Sequence, residues 1–185
     1  MPQFIAFLRG LNLGNRRVKM DVLRSCFEAL KFTDVETFIA SGNVIFSARA
    51  TDAVALEAKI ATHLEQSLGY EVDTFIRSRA EVAAIDARPP FDPSVAGDPA
   101  VTIHVGFLAR ELTPAQKRGL QACRSPHDTI IVEGREFYWL CRDIKSHESK
   151  IWASAELKAL RLPSSSMRNI TTIRKLEALY PPSGA

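Results

Sequence analysis

No apolar run in this 185-residue chain approaches the roughly 18–20 residues needed to cross a bilayer, and the first one, Phe4 to Leu8, is too short for a secretory signal. A chain without membrane segments is expected, and a cytoplasmic one. Cysteine is scarce and odd in number: Cys26, Cys123 and Cys141 form no CxxC pair, which fits reduced thiols better than a disulfide framework. The four histidines, His63, His104, His127 and His147, never fall at paired ligand spacing with a cysteine or with one another, so neither a metal nor a cofactor is expected. Phosphate fingerprints are lacking too, since neither GxGxxG nor a P-loop is present, and no GxSxG elbow makes Ser41 a nucleophile.

Acid is absent from two segments. Met1 to Met20 carries Arg9, Arg16, Arg17 and Lys19, and Lys158 to Lys175 carries Lys158, Arg161, Arg168, Arg174 and Lys175, both without a carboxylate. With a net charge of +3 overall, these +4 and +5 segments leave −6 on the rest of the chain. Such polarity attracts an anionic small molecule or nucleic acid, or it marks two solvated segments facing opposite ways.

What is present reads as alternating strands and helices. Gln3 to Arg9 suits a buried strand. Leu23, Cys26, Phe27 and Leu30 then recur at helical spacing, predicting a helix from about Met20 to Lys31. Val35 to Ala40 and Asn43 to Ser47 form a hairpin about Ser41-Gly42, and Leu56, Ile60, Leu64 and Leu68 predict a helix with Thr51 as N-cap and Gly69 at its end. Glu71 to Arg77 completes a β-α-β-β-α-β order, the split βαβ pattern of ferredoxin-like folds. Ser78-Arg79-Ala80-Glu81 opens a short further helix, and Arg88 to Pro99, with four prolines and a glycine, reads as a connection.

The second half repeats this outline. Val101 to Phe107 alternates as a strand, Thr113-Pro114-Ala115-Gln116 combines a capping box with proline at N1, and Asp128 to Glu133 and Glu136 to Arg142 flank the turn Gly134-Arg135. Helices are expected at Ser149 to Leu160 and Ile170 to Tyr180. The fold class is therefore α+β, with two ferredoxin-like β-α-β-β-α(-β) subdomains and antiparallel sheets: residues 1–87, a proline-rich connection 88–99, and residues 100–185 with an extra C-terminal helix.

That topology puts the first strand-to-helix loop and the hairpin turn at one end of the first sheet. Arg9, Gly10, Asn12, Gly14 and Lys19 thereby come beside Ser41, Gly42 and Asn43, a glycine-bearing basic loop ahead of a helix N-terminus. This combination suits a phosphate-bearing ligand. The same residues also suit a plain tight turn and a plain hairpin. Arg168 and Asn169, before the last helix, form a second anion candidate, while Asn169 equally suits an N-cap. Phe137, Tyr138 and Trp139 read as core and edge residues rather than a base-stacking platform. Three functional classes follow: a binding protein for a nucleotide or nucleic acid, an enzyme acting on a small anionic metabolite, and an interaction module whose loops are structural.

Leu8-Arg9-Gly10-Leu11-Asn12-Leu13-Gly14, Val18-Lys19-Met20, and Val35 through Ser41-Gly42-Asn43-Val44-Ile45-Phe46 together resemble the domain of unknown function 1697 family, and Met167-Arg168-Asn169-Ile170-Thr171-Thr172-Ile173 resembles that family's second signature. The resemblance implies paired ferredoxin-like subdomains and carries no activity with it. It also implies an aromatic residue where this chain has Ile170, and often a glycine where it has Asn15, so any ligand contact made by that ring is missing here.

Overall fold

The computed structural model describes residues 1–12, 14–39, 42–50, 52–87 and 90–181. The chain forms two compact units, one built from Met1–Ala84 and the chain from Leu176 on, the other from Ile85–Lys175.

In the first unit, β1 (Gln3–Arg9), α1 (Met20–Ala29), β2 (Thr33–Phe38), β3 (Asn43–Ser47), α2 (Ala53–Leu68) and β4 (Asp73–Ser78) follow one another, with α3 (Arg79–Ala87) after them. The strands make an antiparallel sheet in the order β2-β3-β1-β4, the ferredoxin-like arrangement. Strand alternation sends Phe4, Ala6 and Leu8 of β1 to the helical face with Val44, Phe46 and Ile76. There they meet Leu23 and Phe27 of α1 and Leu56, Ile60 and Leu64 of α2. Phe46 is the hub, with ring centroids 5.4 Å from Phe27 and 4.7 Å from Phe32. Each such fully buried side chain contributes about 1.5–3 kcal/mol.

β4 is an outer strand, and its exposed ladder is closed by a side chain. Glu57 Oε1 of α2 accepts the Ile76 N–H at 2.7 Å and lies 3.8 Å from the fully buried guanidinium of Arg77. A carboxylate thus holds α2 to the sheet edge and neutralises a buried cation. At the start of α2, Asp52 is the cap, accepting from the Val54 and Ala55 N–H groups; the expected cap, Thr51, lies outside the described residues. Tyr180, past the end of α7 (Ile170–Leu179), donates to Glu36 at 2.5 Å, and its hydroxyl is pushed up to about 12, chiefly by burial and then by that carboxylate.

The second unit repeats the topology. After the short α4 (Pro93–Ala96) come β5 (Val101–Leu108), α5 (Pro114–Ala122), β6 (Asp128–Glu133), β7 (Glu136–Arg142), a 3-10 turn at Ile151–Ala153, α6 (Ala155–Ala159) and β8 (Ser165–Asn169), which runs directly into α7. The sheet order is β6-β7-β5-β8, again antiparallel throughout. Two expectations change. The helix predicted for Ser149 to Leu160 is broken, because Ser154 is extended (ψ 148°) and starts α6 by accepting the Leu157 N–H. Arg168 and Asn169 are strand residues paired with Val105 and His104, in a segment of serines and polar residues with no β-branched signal.

The helical face of this sheet carries His104, Gly106 and Leu108 from β5 beside Trp139 and Phe137. Gly106 admits the Phe137 ring, which would lie 2.0 Å from any Cβ there. His104 stacks on Trp139 at 4.8 Å with its Nε2 buried and unpartnered. Burial holds its imidazole below the ordinary 6.5. A histidine kept neutral in the fold contributes stability above its unfolded pKa, and that contribution is lost as pH falls. Both tryptophans lie in this unit, so their fluorescence reports its unfolding. Urea unfolding is expected to show a loss of stability as pH falls through the ordinary histidine value of 6.5 and below, a loss that His104→Phe reduces; an unchanged pH slope in the variant would contradict this role.

Candidate functional site

The loop after β1 is built by its own polar groups. Gly10, at φ 85°, turns the chain out of the strand and Leu11 returns to the core at 4% exposure, its carbonyl accepting the Tyr70 hydroxyl at 2.9 Å. Asn12 Oδ1 then accepts the Val18 N–H at 2.8 Å, so one side chain closes the loop across six residues. Gly14 (φ 58°) makes the outer bend, and Arg17 donates to the carbonyls of Gly14 and Arg16 at 2.9 and 2.6 Å. Arg16 lies 4.2 Å over the ring of Tyr70.

The hairpin turn meets this loop as the topology requires. Leu8 N–H donates to the Gly42 carbonyl at 2.8 Å, and Gly42, at φ 78°, leaves room for Leu8 and Leu11, whose atoms would stand 3.1 and 3.4 Å from a Cβ. Asn43 is fully buried and donates from Nδ2 to the Phe38 carbonyl at 3.0 Å, clamping the turn from inside. Ser41 lies outside the described residues, as does Leu13. Ile39 is left-handed (φ 50°) and 52% exposed at the same turn.

The cations divide into two kinds. Arg9 is paired with Asp73 at 2.9 Å, which neutralises it although its side chain is 54% exposed. Arg16, Arg17 and Lys19 are exposed, and among the described residues none of them is paired with a carboxylate. Lys19 is also the N-cap position of α1, where no side chain caps the helix, so the first-turn N–H groups lack a side-chain acceptor; Asp21 sits in that turn.

Arg168 and Asn169 belong to the second unit. Arg168 donates to Ser166 Oγ at 2.9 Å and the Met167 carbonyl at 2.8 Å, and burial lowers its guanidinium to about 10, still charged at neutral pH. Asn169 Oδ1 accepts both the N–H and the hydroxyl of Thr171 at 2.9 Å, a cap on α7. Trp139 and Phe137 are buried in the core. The same unit holds a cavity of about 990 Å³ lined by Cys123, Ser125, Asp128, Ser149 and Ile151 among others, none of them a candidate site residue of the sequence reading. Serines and one aspartate scattered over 25 residues leave no local motif to read. Among the described residues, no group of three His, Cys, Asp or Glu is placed to hold a metal, and no helix is long and apolar enough to cross a membrane.

Two sheets of the same order, each with its helices, make this a paired ferredoxin-like α+β protein with a basic loop at one end of its first sheet. The chain belongs to the family described as protein of unknown function (DUF1697), whose model matches residues 1–138. Among solved structures it is similar to the conserved bacterial protein SP0830 from Streptococcus pneumoniae, at 20% identity and a TM-score of 0.74 over 98% of this chain and 99% of that one, a likeness of fold. No curated protein matches the chain.

The geometry gives Asn43 and Arg17 opposite roles in stability. Asn43→Ala, which removes a buried hydrogen bond to the Phe38 carbonyl, is expected to lower the unfolding free energy by about 1–3 kcal/mol. Arg17→Ala, at an exposed site, is expected to change it by no more than about 0.5 kcal/mol. Chemical denaturation followed by far-UV circular dichroism checks both, and equal effects would contradict the assignment.

Proposed function

We propose that the first unit binds a phosphate-bearing ligand, a nucleotide or nucleic acid, at the basic loop between β1 and α1. One juxtaposition carries the reading: three exposed cations without carboxylate partners, Arg16, Arg17 and Lys19, stand at the beginning of a ten-residue helix whose N-terminus has no side-chain cap. An anion arriving there gains both charge neutralisation and the free N–H groups of the first turn. Arg16 and Arg17 rest on a ring and on carbonyls, so reaching a phosphate exchanges a weak partner for a stronger one. Arg9, tied to Asp73, positions the end of β1 instead of supplying free charge. Asn12, Gly42 and Asn43 hold the loop and turn in place, which keeps the cations and the helix end in register.

Binding of this kind is electrostatic and therefore salt-dependent, since each phosphate contact releases counterions. Fluorescence anisotropy with a labelled single-stranded oligonucleotide, and competition by ATP, tests the reading across a salt series. The wild type is expected to lose affinity steeply with salt. Replacing Arg16, Arg17 and Lys19 together by Ala is expected to weaken binding at least tenfold and to flatten the log–log salt slope by about 2, the share of three single-strand phosphate contacts. Absent or salt-independent binding by the wild type would favour a loop whose polar groups serve structure alone.

A further inference from the structure

The cavity of about 990 Å³ in the second unit has Ala122, Ile144, Ile151 and Leu160 as the apolar part of its lining. Its size is at the upper end of small-molecule sites, which combine apolar walls with a few convergent polar groups. Its charged rim is mixed and exposed, with Arg124 and Lys150 offset by Glu148 and Glu156. Only one charged residue of the lining is buried. Asp128 is 3% exposed, and its carboxylate accepts from Trp139 Nε1 at 2.7 Å and Ser149 Oγ at 2.8 Å on one oxygen and from Ser125 Oγ at 2.5 Å on the other.

All three donors are neutral, and among the described residues no cation is paired with this carboxylate. A carboxylate offers about four acceptor positions, so one remains. A buried carboxylate without a counter-charge attracts a cation that can reach it. The thiol of Cys141 is pushed up chiefly by burial and then by the negative charges of Asp128 and Glu148.

We propose that this cleft is a binding site for a small organic cation, a molecule with one ammonium or amidinium head seated against Asp128 and an apolar body over Ile144, Ile151 and Leu160. A cationic head supplies the counter-charge that the fold does not, and the apolar lining favours an aliphatic or aromatic body over a bare metal ion. Recognition is by charge at depth and by apolar contact along the cleft. The site is independent of the basic loop, whose ligand carries the opposite charge.

Three probes of similar body and different charge separate the outcomes: phenethylamine, benzyl alcohol and phenylacetate, each titrated into the full-length protein by calorimetry. Phenethylamine is expected to bind at least about tenfold more tightly than the other two. Cys123 lines the cleft and is half-buried, whereas Cys26 and Cys141 are buried, so saturating phenethylamine is also expected to slow iodoacetamide modification at Cys123, mapped by peptide mass. Asp128→Asn is expected to weaken phenethylamine at least about tenfold. If that variant fails to fold by circular dichroism, Ala122→Phe, at an exposed lining position outside the hydrogen bonds of Asp128, is expected to obstruct the cleft and to weaken phenethylamine at least about tenfold. The proposal is overturned if the amine does not bind, if the alcohol or the acid binds as tightly, or if the amine binds the folded variant as tightly as the wild type.

Discussion

The hydrogen bond from the Leu8 N–H to the Gly42 carbonyl, at 2.8 Å, joins the end of β1 to the turn between β2 and β3. A side chain at position 42 would crowd Leu8 and Leu11 and would have to adopt φ 78°, so glycine is the residue this junction requires. The bond fixes where β1 stops and hence where Gly10 turns the chain outward. Leu11 can then fill the core behind the turn, and Asn12 can reach the Val18 N–H that closes the loop. The position of Arg16, Arg17 and Lys19 at the head of α1 follows from that chain of constraints.

Within this corner the polar residues separate by what surrounds them. Asn12 and Asn43 satisfy backbone groups, and Arg9 satisfies Asp73. The three remaining cations satisfy a ring and two carbonyls at most, partners that an anion outcompetes. In the proposed reading, structure and binding fall to different side chains of one loop, and mutations can separate them. In the second unit Asp128, which lines the cleft, ties Ser125, Ser149 and Trp139 together through its carboxylate.

Much of the fold was legible because apolar periodicity is local. The helical spacing of Leu23, Cys26 and Phe27 and the four-residue recurrence of Leu56, Ile60 and Leu64 each point to one face, and the core holds those faces. β8 was not legible, since Ser165 to Asn169 contains no β-branched residue and its pairing with β5 spans some sixty positions. The break at Ser154 was hidden for the opposite reason: the surrounding residues favour a helix, and the serine both interrupts and restarts it. The meeting of the loop with Gly42 could be deduced from topology alone. The engagement of Arg9 with Asp73, sixty-four residues away, could not, nor could the cleft around Asp128, because both depend on tertiary neighbours that no spacing encodes.

The claim that the first loop receives an anion is tested most directly by residue-resolved NMR during titration with pyrophosphate, a probe with charge and no base or sugar. Saturable shifts concentrated on the backbone amides of residues 14–22, with those of β3 largely still, are the predicted result. Shifts that never saturate, or that gather on amides outside the β1–α1 loop and the first turn of α1, would contradict it.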